Sequence, residues 1–176
     1  VTLNHPQSTQ FVSALLLIGA NVQTDSISPY ITLTRAMIEQ WGKAAEYTSS
    51  LVGGVGGGFI ERDWSSAAFW YEYVALYGGE ITLPGLSLDS LQGDKVVADI
   101  FAQLGVTTQY TEEGIQICRS QAILNSKILI QNFSACPDLY PAVALTCERL
   151  GIALHATGVE SLPLKESDRL LAVREH

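Results

Sequence analysis

The sequence predicts a protein of the α/β (or α+β) class, assembled from repeated βαβαββ units. Three observations carry that expectation. A mostly apolar helical pattern recurs three times, each copy opening near a polar residue and closing at glycine. Short β-branched runs follow the helices, and the spacing between copies is too long for a helical-hairpin repeat.

The first helices of the copies are "STQFVSALLLIGA", "SSAAFWYEYVALYGG" and "DLYPAVALTCERLG", beginning at Ser8, Ser65 and Asp138. Ser and Asp accept hydrogen bonds from the orphan amides of a first turn, and a terminal Gly permits the left-handed closing residue. The second helices are "YITLTRAMIEQWG", "GDKVVADIFAQLG" and "ESDRLLAVRE", beginning near Pro29, Gly93 and Glu166. Between them, "EITLPGL" and "IALHATGV" read as strands, while "GVTTQYTEEGIQICRS" and "SKILIQNF" supply a hairpin turning at Glu113-Gly114. Trp64, Trp70, Tyr71 and Tyr73 share one helix, and helical spacing assigns them to a core or an interface.

"SSLVGGVGGGF" breaks this rhythm, with five glycines in six positions around Val55. No Gly-Lys-Ser/Thr follows, which excludes a P-loop, and no strand or acidic ribose partner frames it as a dinucleotide loop. Residues 53–58 read as a flexible connector between two domains, 1–58 and 59–176.

Among 176 residues, 47% are hydrophobic and 16% charged, the balance of a packed globular chain. A net charge of −8 without a basic stripe argues against nucleic-acid binding, although a few focused cations suffice for a phosphorylated small molecule. The longest apolar run, "FVSALLLIGANV", is too short for a membrane span and lacks the basic flank of a signal peptide. Cys118, Cys136 and Cys147 are odd in number and widely spaced, with neither CxxC nor metal-ligand spacing, which points to a reducing, cytoplasmic setting. Cys147 falls in an apolar helical pattern and reads as a small core residue. His5 and His155 stand isolated, and the chain begins at Val1, which points to an excised or processed end.

The densest charge lies in "LPLKESDRLLAVREH", where Lys165, Glu166, Asp168 and Arg169 occupy four of five positions. A solvated capping turn accounts for such a cluster. So does a site that binds an anion and moves a proton, with Lys165 and Arg169 one turn apart on one helical face.

Taken in order, "STQFVSALLL", "PYITLTRAMIEQWG", "ERDWSSAAFW", "LPGLSLDSLQGDKVVADIFAQLG", "CPDLYPAVALTCERLG" and "GVESLPLKESDRLLAV" resemble the 3-phosphoshikimate 1-carboxyvinyltransferases (EPSP synthases), a family of enolpyruvyl transferases. The resemblance covers nearly the whole chain except residues 48–58. It implies an incomplete enolpyruvyl transferase fold, an inverse α/β barrel-like arrangement: the last βαβαββ unit of one domain, then about one and a half units of the other. It also implies that flanking phosphoenolpyruvate-binding segments lie outside the chain, that no metal or organic cofactor is needed, and that the isolated chain is catalytically silent.

The reaction so implied moves the enolpyruvyl group of phosphoenolpyruvate onto the 5-hydroxyl of shikimate 3-phosphate, by addition and then elimination of phosphate. Asp138 matches the family's base, and Glu166 its proton donor. Lys165 matches a contact to the shikimate phosphate, and Arg169 a contact to phosphoenolpyruvate, whose carboxylate or phosphate suits a planar guanidinium. Ser8, Thr9 and Gln10 match a Ser-Ser-Gln segment that binds the 3-phosphate at a helix start. Tyr30 would lie by the shikimate ring, and Ser161 stands at the pocket rim where many members have Asn. The chain departs from the family at Ile27, a frequent Ser, and at Pro163, usually basic. Two other readings remain: the related UDP-N-acetylglucosamine enolpyruvyl transferase, and a non-catalytic phosphate-binding scaffold of the same fold. The implied full enzyme is a monomer, whereas the cut surfaces of a fragment invite self-association.

Overall fold

The structure, a computed structural model, describes residues 1–49, 61–120, 127–165 and 167–174, the side chains of 41–49 excepted. The connector assigned to 53–58 and the proton donor assigned to Glu166 therefore lie outside the described residues. Contacts divide the chain into two compact units, Val1–Ile60 and Glu61–His176. Among the described residues helices and strands are mixed along the chain in small sheets that do not close, consistent with the α/β (or α+β) class.

In the first unit the order is β1 (Thr2–Leu3), α1 (Thr9–Leu17), β2 (Gln23–Thr24) and α2 (Pro29–Ser49). β1 and β2 pair in parallel, Thr2 opposite Gln23, so α1 is the crossover of a βαβ unit. Ser8 caps α1, its hydroxyl accepting from the Gln10 amide at 3.2 Å. Val12, Val22 and Ile31 form a small core closed by Leu3, Leu15, Leu16 and Ala20. A 2.8 Å bond between the Ser13 and Thr34 hydroxyls ties α1 to α2. α2 does not stop at Gly42 as its pattern suggests. The following Lys-Ala-Ala-Glu residues are strong helix formers, and one glycine is tolerated in such a run.

The second unit contains α3 (Trp64–Tyr77), β3 (Glu80–Pro84), α4 (Val97–Ala102), β4 (Val106–Tyr110) and β5 (Gly114–Arg119). It continues with β6 (Ile128–Asn132), α5 (Tyr140–Leu150), β7 (Ala153–Thr157) and α6 (Arg169–Arg174). α3 begins one residue ahead of Ser65 because Asp63 is the stronger cap: its carboxylate accepts from the Ser65 and Ser66 amides at 3.0 and 3.1 Å. Burial raises the Asp63 carboxyl, but bonds from Ser66 and Ser65 outweigh it and leave the group below its ordinary value. Gly93–Val96 forms a 3₁₀ turn before α4 rather than its first α-helical turn.

The expected hairpin is β4–β5 alone, with Val106 opposite Arg119. β5 is the centre of an antiparallel sheet ordered β3-β5-β4. β6 leaves that sheet and pairs in parallel with β7, Ile128 opposite Ala153. Its partner comes from across α5 because a parallel pair requires a long crossover, which "CPDLYPAVALTCERLG" provides. One continuous core joins α3, α4, α5 and the sheets, with Trp64, Tyr71, Phe101, Ile117 and Phe133 fully buried. The Tyr71 hydroxyl meets Thr108 Oγ1 at 2.7 Å, so its burial leaves no polar atom stranded. Trp70 and Tyr73, on the other face of α3, remain 50% exposed.

Gly114 opens β5 at φ +154° against Pro84, and a Cβ there would meet the Leu83 carbonyl and Pro84 Cα. Gly114→Ala is therefore expected to cost about 1–3 kcal/mol through backbone strain. A lower urea midpoint at unchanged slope would register it.

Cys136 and Cys147 are buried in this core as small apolar residues. Burial pushes the Cys136 thiol up to about 12, with the Asp94 charge adding to it, and burial alone raises Cys147 to about 11. Thiolate is the reactive form. Iodoacetamide at pH 8 should thus modify half-buried Cys118 first, with mass spectrometry of tryptic peptides finding Cys136 and Cys147 unlabelled while the chain stays folded.

Candidate functional site

Parallel β6 and β7 make both of their outgoing loops leave from the same sheet edge, the edge where ligands sit in open α/β sheets. The loop after β6 leads into α5 through a 3₁₀ turn, Pro137–Leu139, and the loop after β7 leads into α6 through a second, Leu162–Leu164. These loops approach closely at Gly158, where φ is +70° and a Cβ would collide with Ser134 and Asn132. Asp138 rides on the first loop, and Lys165 and Arg169 on the second.

The three side chains meet. Arg169 Nη1 donates to Asp138 Oδ1, and Lys165 Nζ lies 3.3 Å from the same oxygen. Each is roughly three-quarters buried, with side-chain exposures of 26% for Asp138, 22% for Lys165 and 28% for Arg169. Partial burial weakens solvent screening and strengthens such pairing.

Asp138 does not cap a helix, contrary to its pattern. α5 starts at Tyr140, whose amide bonds the Pro137 carbonyl, and Pro141 has no amide to offer. The carboxylate is thereby left to the two cations. Lys165 and Arg169 also do not share a helical turn. Lys165 is extended at the close of the Leu162–Leu164 turn, and Asp168 starts α6, accepting from the Leu170 and Leu171 amides at 3.0 Å. The two cations converge because both reach Asp138 from opposite sides of that break, not through helical periodicity.

Around Asp138 and Arg169 opens a cleft of about 410 Å³, bordered by Ser65 and Ser66 at the start of α3, by Phe69 and Leu145, and by Val173 of α6. Ser66 is occupied by Asp63, which accepts its hydroxyl at 2.5 Å. Ser65 donates its hydroxyl to Asp94 Oδ2, and Asp94 is 2% exposed. Neither Ser65 nor Asp94 stands out in the sequence as a site residue. One reads as a helix opening, the other as part of "QGD", and no local signal joins positions 29 residues apart. Ser161 precedes the Leu162–Leu164 turn, half-buried, and does not line the cleft.

In the first unit the same topology acts again. Ser8 caps α1, Thr9 begins it half-buried, and Gln10 points into solvent. Tyr30, in the first turn of α2, is half-buried, with its amide bonded to Ser28 Oγ at 3.3 Å. Loops leaving β1 and β2 are joined by His5, not isolated as its sequence setting suggests: Nε2 lies 3.1 Å from Asp25 Oδ2 and its amide 2.9 Å from Oδ1. Both helix starts of this unit therefore stand at one strand edge.

A family model described as EPSP synthase (3-phosphoshikimate 1-carboxyvinyltransferase) matches residues 1–176. The chain belongs to the EPSP synthase family. Among its relatives, a 3-phosphoshikimate 1-carboxyvinyltransferase of Bacteroides fragilis is 35% identical over 191 residues, covering 99% of this chain and 46% of that protein. The corresponding protein of Methanospirillum hungatei is 27% identical over 192 residues, covering 94% and 43%. A chloroplastic one of Nicotiana tabacum is 28% identical over 202 residues, covering 98% and 38%. The chain thus spans under half the length of these relatives of the EPSP synthase family. Among the described residues no helix is long and apolar enough to cross a membrane, and no group of three or more His, Cys, Asp or Glu could hold a metal ion.

Proposed function

We propose that this chain forms the central part of a cytoplasmic enzyme that transfers the enolpyruvyl group of phosphoenolpyruvate to the 5-hydroxyl of shikimate 3-phosphate. The observation that carries the reading is the meeting of Lys165 and Arg169 on one oxygen of Asp138 at the edge of a cleft. A base and two anion-binding cations are the parts that this transfer needs in one place.

Asp138 accepts the proton of the 5-hydroxyl as that oxygen attacks phosphoenolpyruvate, a general-base role. Glu166 protonates the methylene carbon in the addition; in the elimination the resulting methyl group returns a proton to that carboxylate as the C–O bond to phosphate breaks, which restores the double bond. Lys165 holds the 3-phosphate as a point charge, and Arg169 grips phosphoenolpyruvate with its planar fork. Ser8, Thr9 and Gln10 contribute hydroxyls and free amides at the start of α1, where an anion is favoured. Tyr30 borders the ring, and Ser161 the rim. Without ligand, Asp138 occupies both cations, so anionic substrates compete with it for them and free the carboxylate for the hydroxyl. The whole protein acts as a monomer, its active site completed by segments outside this chain.

Calorimetric titration of the chain with shikimate 3-phosphate, alone and with phosphoenolpyruvate, tests this. The expected result is binding of the first, with amide shifts at Ser8–Gln10 and at Lys165–Arg169 in parallel NMR spectra, and no turnover, since positioning both reactants supplies much of such a rate. A folded chain that binds no shikimate 3-phosphate would sink the proposal.

A further inference from the structure

We infer that Ser65, set by the buried carboxylate of Asp94, is the wall of the Asp138 cleft that accepts a hydrogen bond from a ligand hydroxyl. The inference rests on the proposed function, with the cleft as the seat of shikimate 3-phosphate.

A serine hydroxyl has one proton and two lone pairs. At Ser65 the proton is committed: Oγ donates to Asp94 Oδ2 in a charge-assisted bond. The Ser65 amide is also taken, by Asp63 Oδ1 at 3.0 Å, so both of the residue's donors are spent on carboxylates. What Ser65 has left for the cleft is acceptor capacity. Asp94 is 2% exposed and reaches the cleft only through the Ser65 hydroxyl that it accepts, and its charge also acts on the buried Cys136 thiol, two residues before Asp138. A carboxylate so buried is costly unless it is bonded, and it cannot rotate toward a ligand. It is a positioning residue, acting through Ser65.

The cleft therefore offers oxygen acceptors at Ser65, Ser66 and Asp138, and Lys165 brings its ammonium to Asp138. A bare anion uses only the cation. A ring bearing hydroxyls and an anionic group also uses the acceptors, because each hydroxyl needs one for its proton, and of the two serines Ser65 is the one held by a buried carboxylate. Ser65 thus distinguishes a polyhydroxylated acid phosphate from inorganic phosphate.

The test is calorimetry of the 176-residue chain with two ligands, shikimate 3-phosphate and inorganic phosphate, for the unaltered chain, Ser65→Ala, Ser65→Thr and Asp94→Asn. Near-UV circular dichroism verifies the fold of each. Ser65→Ala should weaken shikimate 3-phosphate about tenfold, the worth of one lost hydrogen bond, while leaving inorganic phosphate unchanged. Ser65→Thr, which keeps the hydroxyl, should restore most of that loss, and Asp94→Asn, whose amide oxygen still accepts the Ser65 proton but without the charge, should show a smaller loss. Should Asp94→Asn not fold, the two Ser65 variants decide alone. Ser65→Ala binding shikimate 3-phosphate at full strength would overturn the inference and leave the proposed function standing. A parallel loss of inorganic phosphate would also overturn it, since the hydroxyl would then be donating to the anion. Absence of shikimate 3-phosphate binding by the unaltered chain would remove the proposed function, and this inference with it.

Discussion

Asp138→Asn in a full-length protein containing this chain is expected to lower kcat by about 10²–10⁴, the usual contribution of a positioned general base. The amide keeps the shape of the carboxylate but cannot take the 5-hydroxyl proton. It also removes the negative charge that Lys165 and Arg169 share in the free state. Anion binding should therefore not suffer. Inorganic phosphate should bind as tightly as before or more tightly, since the cations no longer have an internal competitor. The signature is a fall in kcat with undiminished phosphate affinity, read from steady-state kinetics and calorimetry. A merely structural role for Asp138 predicts the reverse, weakened binding together with loss of the folded cleft. Retention of full kcat would remove Asp138 from the chemistry.

Trp64→Ala should be the most destabilising single truncation considered, at about 3–5 kcal/mol. Trp64 is fully buried at the first turn of α3 and faces Tyr110, with ring centroids 6.5 Å apart. Its loss leaves more than a cavity. The indole Nε1 donates to Glu61 Oε1 at 3.2 Å, and Glu61 Oε2 accepts from Ser90 Oγ at 2.7 Å and from Gln92 Nε2 at 3.0 Å. Gln92 in turn accepts from the Trp64 amide at 2.9 Å. The truncation thus loosens a network joining the entry of α3 to the turn before α4, which carries Asp94. Because Ser65 is the next residue, the cleft wall should suffer as well. Urea denaturation followed by circular dichroism would measure the cost, and Trp70→Ala, half-exposed on the same helix, should show only a small part of it.

Much of the secondary structure was legible because it is governed locally. Ser8 caps α1, Gly151 closes α5 in the left-handed conformation, and Gly114 starts β5 where an added Cβ would strike its neighbour strand. Each follows from residue type and near neighbours. Local departures have local causes: Asp63 outcompetes Ser65 as a cap, and of the amides that Asp138 could cap, that of Tyr140 bonds the Pro137 carbonyl and Pro141 has none. The candidate site was legible in part. Asp138, Lys165 and Arg169 stand out as residues through a resemblance, but what groups them is their shared contact at Asp138, with Lys165 extended rather than helical.

What the amino-acid order determined by itself is the inventory: three helix–strand cycles, an acidic chain with a few gathered cations, and the boundaries set by caps and glycines. The tertiary structure alone decided which groups face one another. Parallel pairing of β6 with β7 brings two loops to one edge, so Arg169 reaches a carboxylate 31 residues earlier. The same kind of pairing sets His5 against Asp25, and packing of α3 on the turn before α4 sets Ser65 on Asp94. Such contacts depend on strand partnership and burial, which are won by the whole core together and leave no mark in any short stretch of chain.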